Sequence, residues 1–138
     1  MKSLLLITIV TFFANPGIAQ SKYPHFIKIT YVNFSIETIF EISCNYFDNA
    51  FSKNDYKLLQ IKKNSDLLIF GNSFQKFVKV KSNGIDVRGK IEYILHGHKF
   101  KYCFDQFCEF SDGVNYYKNI SLAIVLKNEF PDLVPVAQ

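Results

Sequence analysis

The chain has no tryptophan, one methionine and, among sixteen basic residues, a single arginine, Arg88. Its fifteen lysines are spread along the sequence rather than gathered into a patch. A nucleic-acid surface needs clustered Lys and Arg, so nucleic acid is not an expected partner. No G-x-S-x-G, H-E-x-x-H or glycine-rich phosphate loop occurs, which removes the motifs that would announce a hydrolase elbow, a zinc protease or a nucleotide site. No catalytic residue and no cofactor site is assigned.

Long apolar runs are also missing, apart from one at the start. MKSLLLITIVTFFANPGIAQ has a lysine at position 2, an apolar run from Leu4 to Phe13, and a break at Asn15-Pro16-Gly17. Gly17 and Ala19 occupy the small-residue positions that a signal peptidase requires, so cleavage is expected after Ala19. The run is about half the ~20 residues that span a bilayer. Residues 1–19 therefore read as a signal peptide and residues 20–138 as one small secreted or periplasmic domain with no transmembrane segment. Without Lys2, fifteen basic residues face twelve acidic ones, a mild charge consistent with ordinary solvation.

Aromatic side chains, by contrast, are abundant: fifteen Phe and eight Tyr. Each can bury roughly 150–250 Å², so they should dominate the core. The chain after the leader reads as strands, then helices, then more strands, then a helix. Alternation over 25–32 indicates a strand, Asn33-Phe34-Ser35 a turn, and Ile36, Thr38, Phe40 and Ile42 a second, antiparallel strand. Cys44, Phe47 and Phe51 fall on a short helical stripe with Ser43 as cap. Residues 58–61 suit a short buried strand. Leu67, Phe70, Phe74 and Phe77 mark a helix over 64–77, capped by Asn64 or Ser65, with Gly71 inside it.

From Val78 an antiparallel meander is expected. Asn83-Gly84 is a strong hairpin signal and would set Val80 opposite Val87. A long strand over 85–95 follows, with Gly89 as a bulge. A second two-residue loop at His96-Gly97 would place Tyr93 opposite Phe100, Glu92 opposite Lys101 and Ile91 opposite Tyr102. Ser111-Asp112-Gly113 is a turn. Leu122, Val125, Leu126 and Phe130 give a last helix that Pro131 ends, before an extended tail. The expectation is an α+β fold: an antiparallel sheet of about five to seven strands packed with two or three short helices.

The segment HGHKFKYCFDQFCEF (96–110) holds His96, His98, Cys103 and Cys108, residue types that bind zinc. Their spacing matches no usual ligand pair. On a strand, His98 and Cys103 point to opposite faces, about 16 Å apart. No metal site is assigned. A redox C-x-x-C is absent too, because the spacing here is C-x4-C. A structural disulfide fits an exported protein better. Cys103 bonds Cys108 if Asp105-Gln106 turns the chain back; otherwise Cys44 is the alternative partner. The third alternative is no bond at all, and at least one thiol of the three stays unpaired.

Glu37 and Glu41 share a strand face about 13 Å apart, too far for an acid/base pair. The sequons Asn33-Phe34-Ser35 and Asn119-Ile120-Ser121 read as turn and helix-cap residues. Tyr116 and Tyr117 are the expected exposed aromatics. These features point to an exported, non-catalytic module binding another exported or envelope protein. The competing expectation is a small secreted hydrolase with a cleft using His25, His96 or His98.

Overall fold

The computed structural model describes residues 21–134. The expected leader and its cleavage site lie outside the described residues, as do the last four of the tail.

Along the chain come β1 (Ile27–Tyr31), β2 (Lys57–Ile61), α1 (Asn64–Ser73), β3 (Val78–Val80), β4 (Gly89–Leu95), β5 (His98–Phe104), β6 (Phe110–Ser111), β7 (Tyr116–Lys118) and α2 (Ile120–Glu129). The strands form one antiparallel sheet in the order β2-β1-β4-β5-β6-β7-β3. This is the α+β architecture that the alternation of strand and helix periods implies. Among the described residues no helix is long and apolar enough to cross a membrane.

The two faces of the sheet bury different things. Ile27 and Ile29, Ile91 and Tyr93, Phe104 and Phe110 point to one side and meet Leu67, Phe70 and Phe74 of the first helical segment and Leu122 and Leu126 of α2. Aromatic rings stack through this layer, with Phe74 on Tyr93 and Phe77 on Tyr102 at centroid distances of 4.0 Å each. The other side is covered in part by irregular chain. Val32, Ile42, Cys44, Phe47, Ile85, Val87 and Cys103 form a second, smaller core there.

The β4–β5 hairpin has the register that its side chains imply: Tyr93 opposite Phe100, Glu92 opposite Lys101, Ile91 opposite Tyr102. His96 and Gly97 both have positive φ, 51° and 77°, as a two-residue hairpin loop matched to strand twist requires. α2 is capped by Asn119, whose Oδ1 accepts from Leu122 N at 2.9 Å. Its amide also donates to the Ser73 carbonyl at 2.8 Å, tying the two helices together. Asn119 is thus a buried cap, while Asn33 closes its turn by accepting from Ser35 N.

Several local expectations fail, the first two because distant segments compete for the same surfaces. Residues 36–43 form no strand, because β2 and β4 already occupy both edges of β1 and leave nothing to pair with. Phe40 is therefore exposed rather than inward. The Asn83-Gly84 hairpin does not form: β3 pairs with β7, Val80 lies opposite Tyr116, and residues 81–88 cross back to the centre of the sheet. That crossing seats Ile85 and Val87 in the second core. Burying two aliphatic side chains, at about 1.5–3 kcal/mol each, outweighs a few ladder hydrogen bonds of about 1 kcal/mol.

The stripe at 44–51 shrinks to a single 3₁₀ turn, Phe47–Asn49, started by the Ser43 carbonyl instead of its hydroxyl. The 64–77 helix ends at Ser73 and tightens into a 3₁₀ turn over Phe74–Lys76. It carries no side-chain cap; the Lys63 carbonyl starts it, and Ser65 bonds Asp66.

Gly89 is not a bulge. It lies opposite Phe104, whose ring lies over it so closely that a methyl group would overlap the ring.

Candidate functional site

Cys103 bonds Cys44, with Cα atoms 5.6 Å apart, and not Cys108. The chain does turn after Phe104, but over five residues, so that Cys103 lies opposite Ser111 and Cys108 stays in the loop. The outward face of β5 then delivers the Cys103 sulfur to the second core, where Cys44 waits. Cys108 remains a free, buried thiol in the left-handed region at φ 59°. Burial, reinforced by the nearby Asp105 charge, pushes its pKa up to about 12, so it is a neutral thiol and a poor nucleophile.

The loop that separates these cysteines is organised by Asp105. Its Oδ1 accepts from Phe107 N and from Glu109 N, both at 2.9 Å. The Asp105 amide closes the loop onto the Glu109 carbonyl, and Val134 N–H donates to the Gln106 carbonyl from the returning C-terminal segment. Asp105 is only 4% exposed. Burial dominates its titration and lifts the pKa to about 6, despite the backbone N–H groups that favour the charged form.

A second buried charge stands nearby. Arg88, 5% exposed, makes a forked pair with Asp86: Nη1 to Oδ1 at 2.7 Å and Nη2 to Oδ2 at 2.5 Å. It also donates to the carbonyls of Val87 and Ile36 and to Thr38 Oγ1, each at 3.1 Å. Its guanidinium lies 5.8 Å from the Phe51 ring centroid. One side chain thus pins the irregular 36–38 chain to the entry of β4, and its charge is satisfied by bidentate geometry.

Between these two charges opens a cleft of about 520 Å³. Three separate segments wall it: residues 34–38, Asp86 with Arg88, and residues 105–107. The volume falls in the range of small-ligand and side-chain pockets, though polar and charged residues make up most of the lining. Phe34 and Ile36 supply apolar wall, and Phe107, 42% exposed, stands at the mouth. Ile39, next to the lining residue Thr38, is fully exposed, as is much of Phe40. Of the charged lining residues, Glu37, Asp86 and Asp105 are acidic and Arg88 alone is basic.

The residues singled out by their chemistry do not come together. His25, His96 and His98 are all exposed, and none lines this cleft or two smaller ones among the described residues, of about 160 and 250 Å³. Among the described residues no group of three or more His, Cys, Asp or Glu is placed to hold a metal ion. Glu37 and Glu41 line different clefts. Tyr116 and Tyr117 are half-buried instead of displayed: Tyr116 packs on the second core, and Tyr117 packs on the main one and donates to Asp112 at 2.7 Å.

Elsewhere, Glu92 gathers three lysines, Lys99 at 2.9 Å, Lys28 at 3.6 Å and Lys90 at 3.9 Å. Burial opposes its charge, but the Lys99 hydrogen bond and the three positive charges outweigh that and lower its pKa.

Sequence reasoning missed Asp105, Arg88 and Phe107 as one site. A lone arginine in a lysine-rich chain and an aspartate starting a turn were the available signals. Comparison of the chain with protein-family models, with curated proteins and with solved structures finds no match to any of them.

Proposed function

We propose that this chain is an exported, non-catalytic module that binds another exported or envelope protein, and that the Asp105–Arg88 cleft is its binding site. The observation that carries the reading is the cleft's construction. Two buried charges brace its walls through bonds within the protein, while exposed Phe107 and Ile39 stand at and beside its mouth. Braced walls with projecting apolar side chains suit recognition, where a few well-placed aromatic anchors dominate affinity. A hydrolase of the histidine-cleft kind needs a histidine beside a carboxylate or thiol, and all three histidines are exposed and away from this cleft. The Cys44–Cys103 bond is compatible with an oxidising compartment outside the cytoplasm.

The test is affinity capture from a native envelope fraction with the wild-type chain and a Phe107→Ser variant. A stoichiometric protein partner retained by the first and lost by the second is expected, with identical circular dichroism. Recovery of no stoichiometric protein, or equal recovery with both chains, overturns the reading.

A further inference from the structure

We infer that the cleft receives a primary ammonium group on an aliphatic stem, the end of a lysine side chain of the partner, with the Asp105 carboxylate as its counter-charge. This rests on the binding reading above and specifies its ligand chemistry.

Asp105 Oδ1 is occupied by two backbone N–H groups. No described group donates to Oδ2. Among the described residues, however, no fully buried side-chain oxygen lacks a partner, so Oδ2 is reached by solvent. Asp105 lines the cleft, and we assign that small opening to it. An ionised carboxylate oxygen there offers only acceptor capacity, so its complement is a donor, and best a charged one.

The rest of the lining agrees. An anion would need a free cation, but the terminal nitrogens of Arg88 are committed to Asp86, Val87, Ile36 and Thr38. With Arg88 balanced by Asp86, the charges left over are Glu37 and Asp105, in a protein whose net charge is +4. The cleft therefore opposes the sign of the whole molecule. Phe34, Ile36 and Phe107 give an aliphatic stem apolar surface to lie against, as lysine stems commonly do. The volume exceeds a lysine side chain, leaving room for flanking residues of the partner.

The test is an NMR titration of the ¹⁵N-labelled chain with Nα-acetyl-lysine methylamide, and in parallel with its Nε-acetylated, uncharged form. The charged probe should shift the Phe107 and Glu109 amides, which donate to Asp105, and the neutral probe should not. Asp105→Asn should weaken binding by about tenfold, the loss of one charge-assisted hydrogen bond. Glu37→Gln, at an exposed position, should weaken it by about two- to threefold without touching the fold, and serves if Asp105→Asn misfolds. Equal shifts from both probes, no shift at tens of millimolar, or binding unchanged in both variants overturns the assignment. If Phe107→Ser abolishes partner capture while the charged probe fails to bind, the ammonium assignment falls alone and the binding reading stands.

Discussion

Replacing Asp105 by asparagine should stabilise this protein at neutral pH, against the usual expectation for removing a buried, hydrogen-bonded group. The carboxyl is held at a pKa of about 6 in the fold against 3.8 for the unperturbed group, mainly by burial. At about 1.4 kcal/mol for each tenfold change in proton affinity, keeping it ionised in the fold costs about 3 kcal/mol. The sign follows from proton binding. Below pH 3.8 the carboxyl is protonated in both states and there is no cost. As pH rises from 3.8 to 6 the unfolded chain ionises first, so stability falls; above about 6 the full cost is present.

Asparagine keeps an acceptor for Phe107 N and Glu109 N and carries no charge. The variant should therefore gain about 1–3 kcal/mol at pH 7 and far less at pH 4. Urea unfolding of both chains at pH 4, 5, 6, 7 and 8 checks this. Glu92, and Asp112 at about 2, pull the other way, losing stability as pH falls through their lowered pKa values. They act equally in both chains, so the difference between the chains isolates Asp105. A variant no more stable than wild type at pH 7, or a difference that does not change between pH 4 and 7, refutes the reasoning.

Reducing the Cys44–Cys103 bond, which closes 59 residues of sequence separation, should cost about 4 kcal/mol by loop-closure entropy, read as a shift in the denaturation midpoint with and without reductant. Peptide mapping without reduction should show Cys44 linked to Cys103, and Cys108 alkylated only after unfolding; a Cys103–Cys108 peptide contradicts this connectivity. Arg88→Met should cost about 1–3 kcal/mol, since the Ile36 and Val87 carbonyls and the Thr38 hydroxyl lose their donor, and Arg88→Lys should rescue little of it; hydrogen exchange over 33–42 should rise in both. Gly89→Ala should cost about 1–3 kcal/mol by driving a methyl into the Phe104 ring, and thermal unfolding with unchanged stability would show that the ring yields freely.

What was legible in the sequence was what neighbours along the chain decide between themselves. The His96-Gly97 loop, the β4–β5 register, the helical stripe of α2 and its Asn119 cap rest on turn residues, alternation and spacing within a dozen positions. Their energies are local, so no distant segment had to be known to read them. The same holds for the class of fold, because periods of two and of 3.6 alternate plainly along the chain.

Tertiary structure decided everything that turned on competition between distant segments. Residues 36–43 alternate like a strand but found both edges of β1 taken. Asn83-Gly84 could turn a hairpin, yet Ile85 and Val87 bury more in the second core than the hairpin would supply. Cys103 had a partner five residues away and bonded one fifty-nine away, because the sheet turned its sulfur to the opposite face. The cleft follows the same logic. Residues 34–38, Arg88 and the 105–107 loop are far apart in sequence, and only the packing of an irregular layer on the back of the sheet makes them one site. Alternation and turn residues set the sheet, because their energies act between neighbours; the pairing of its edges, its sulfurs and its buried charges waited on which distant surfaces could be buried together.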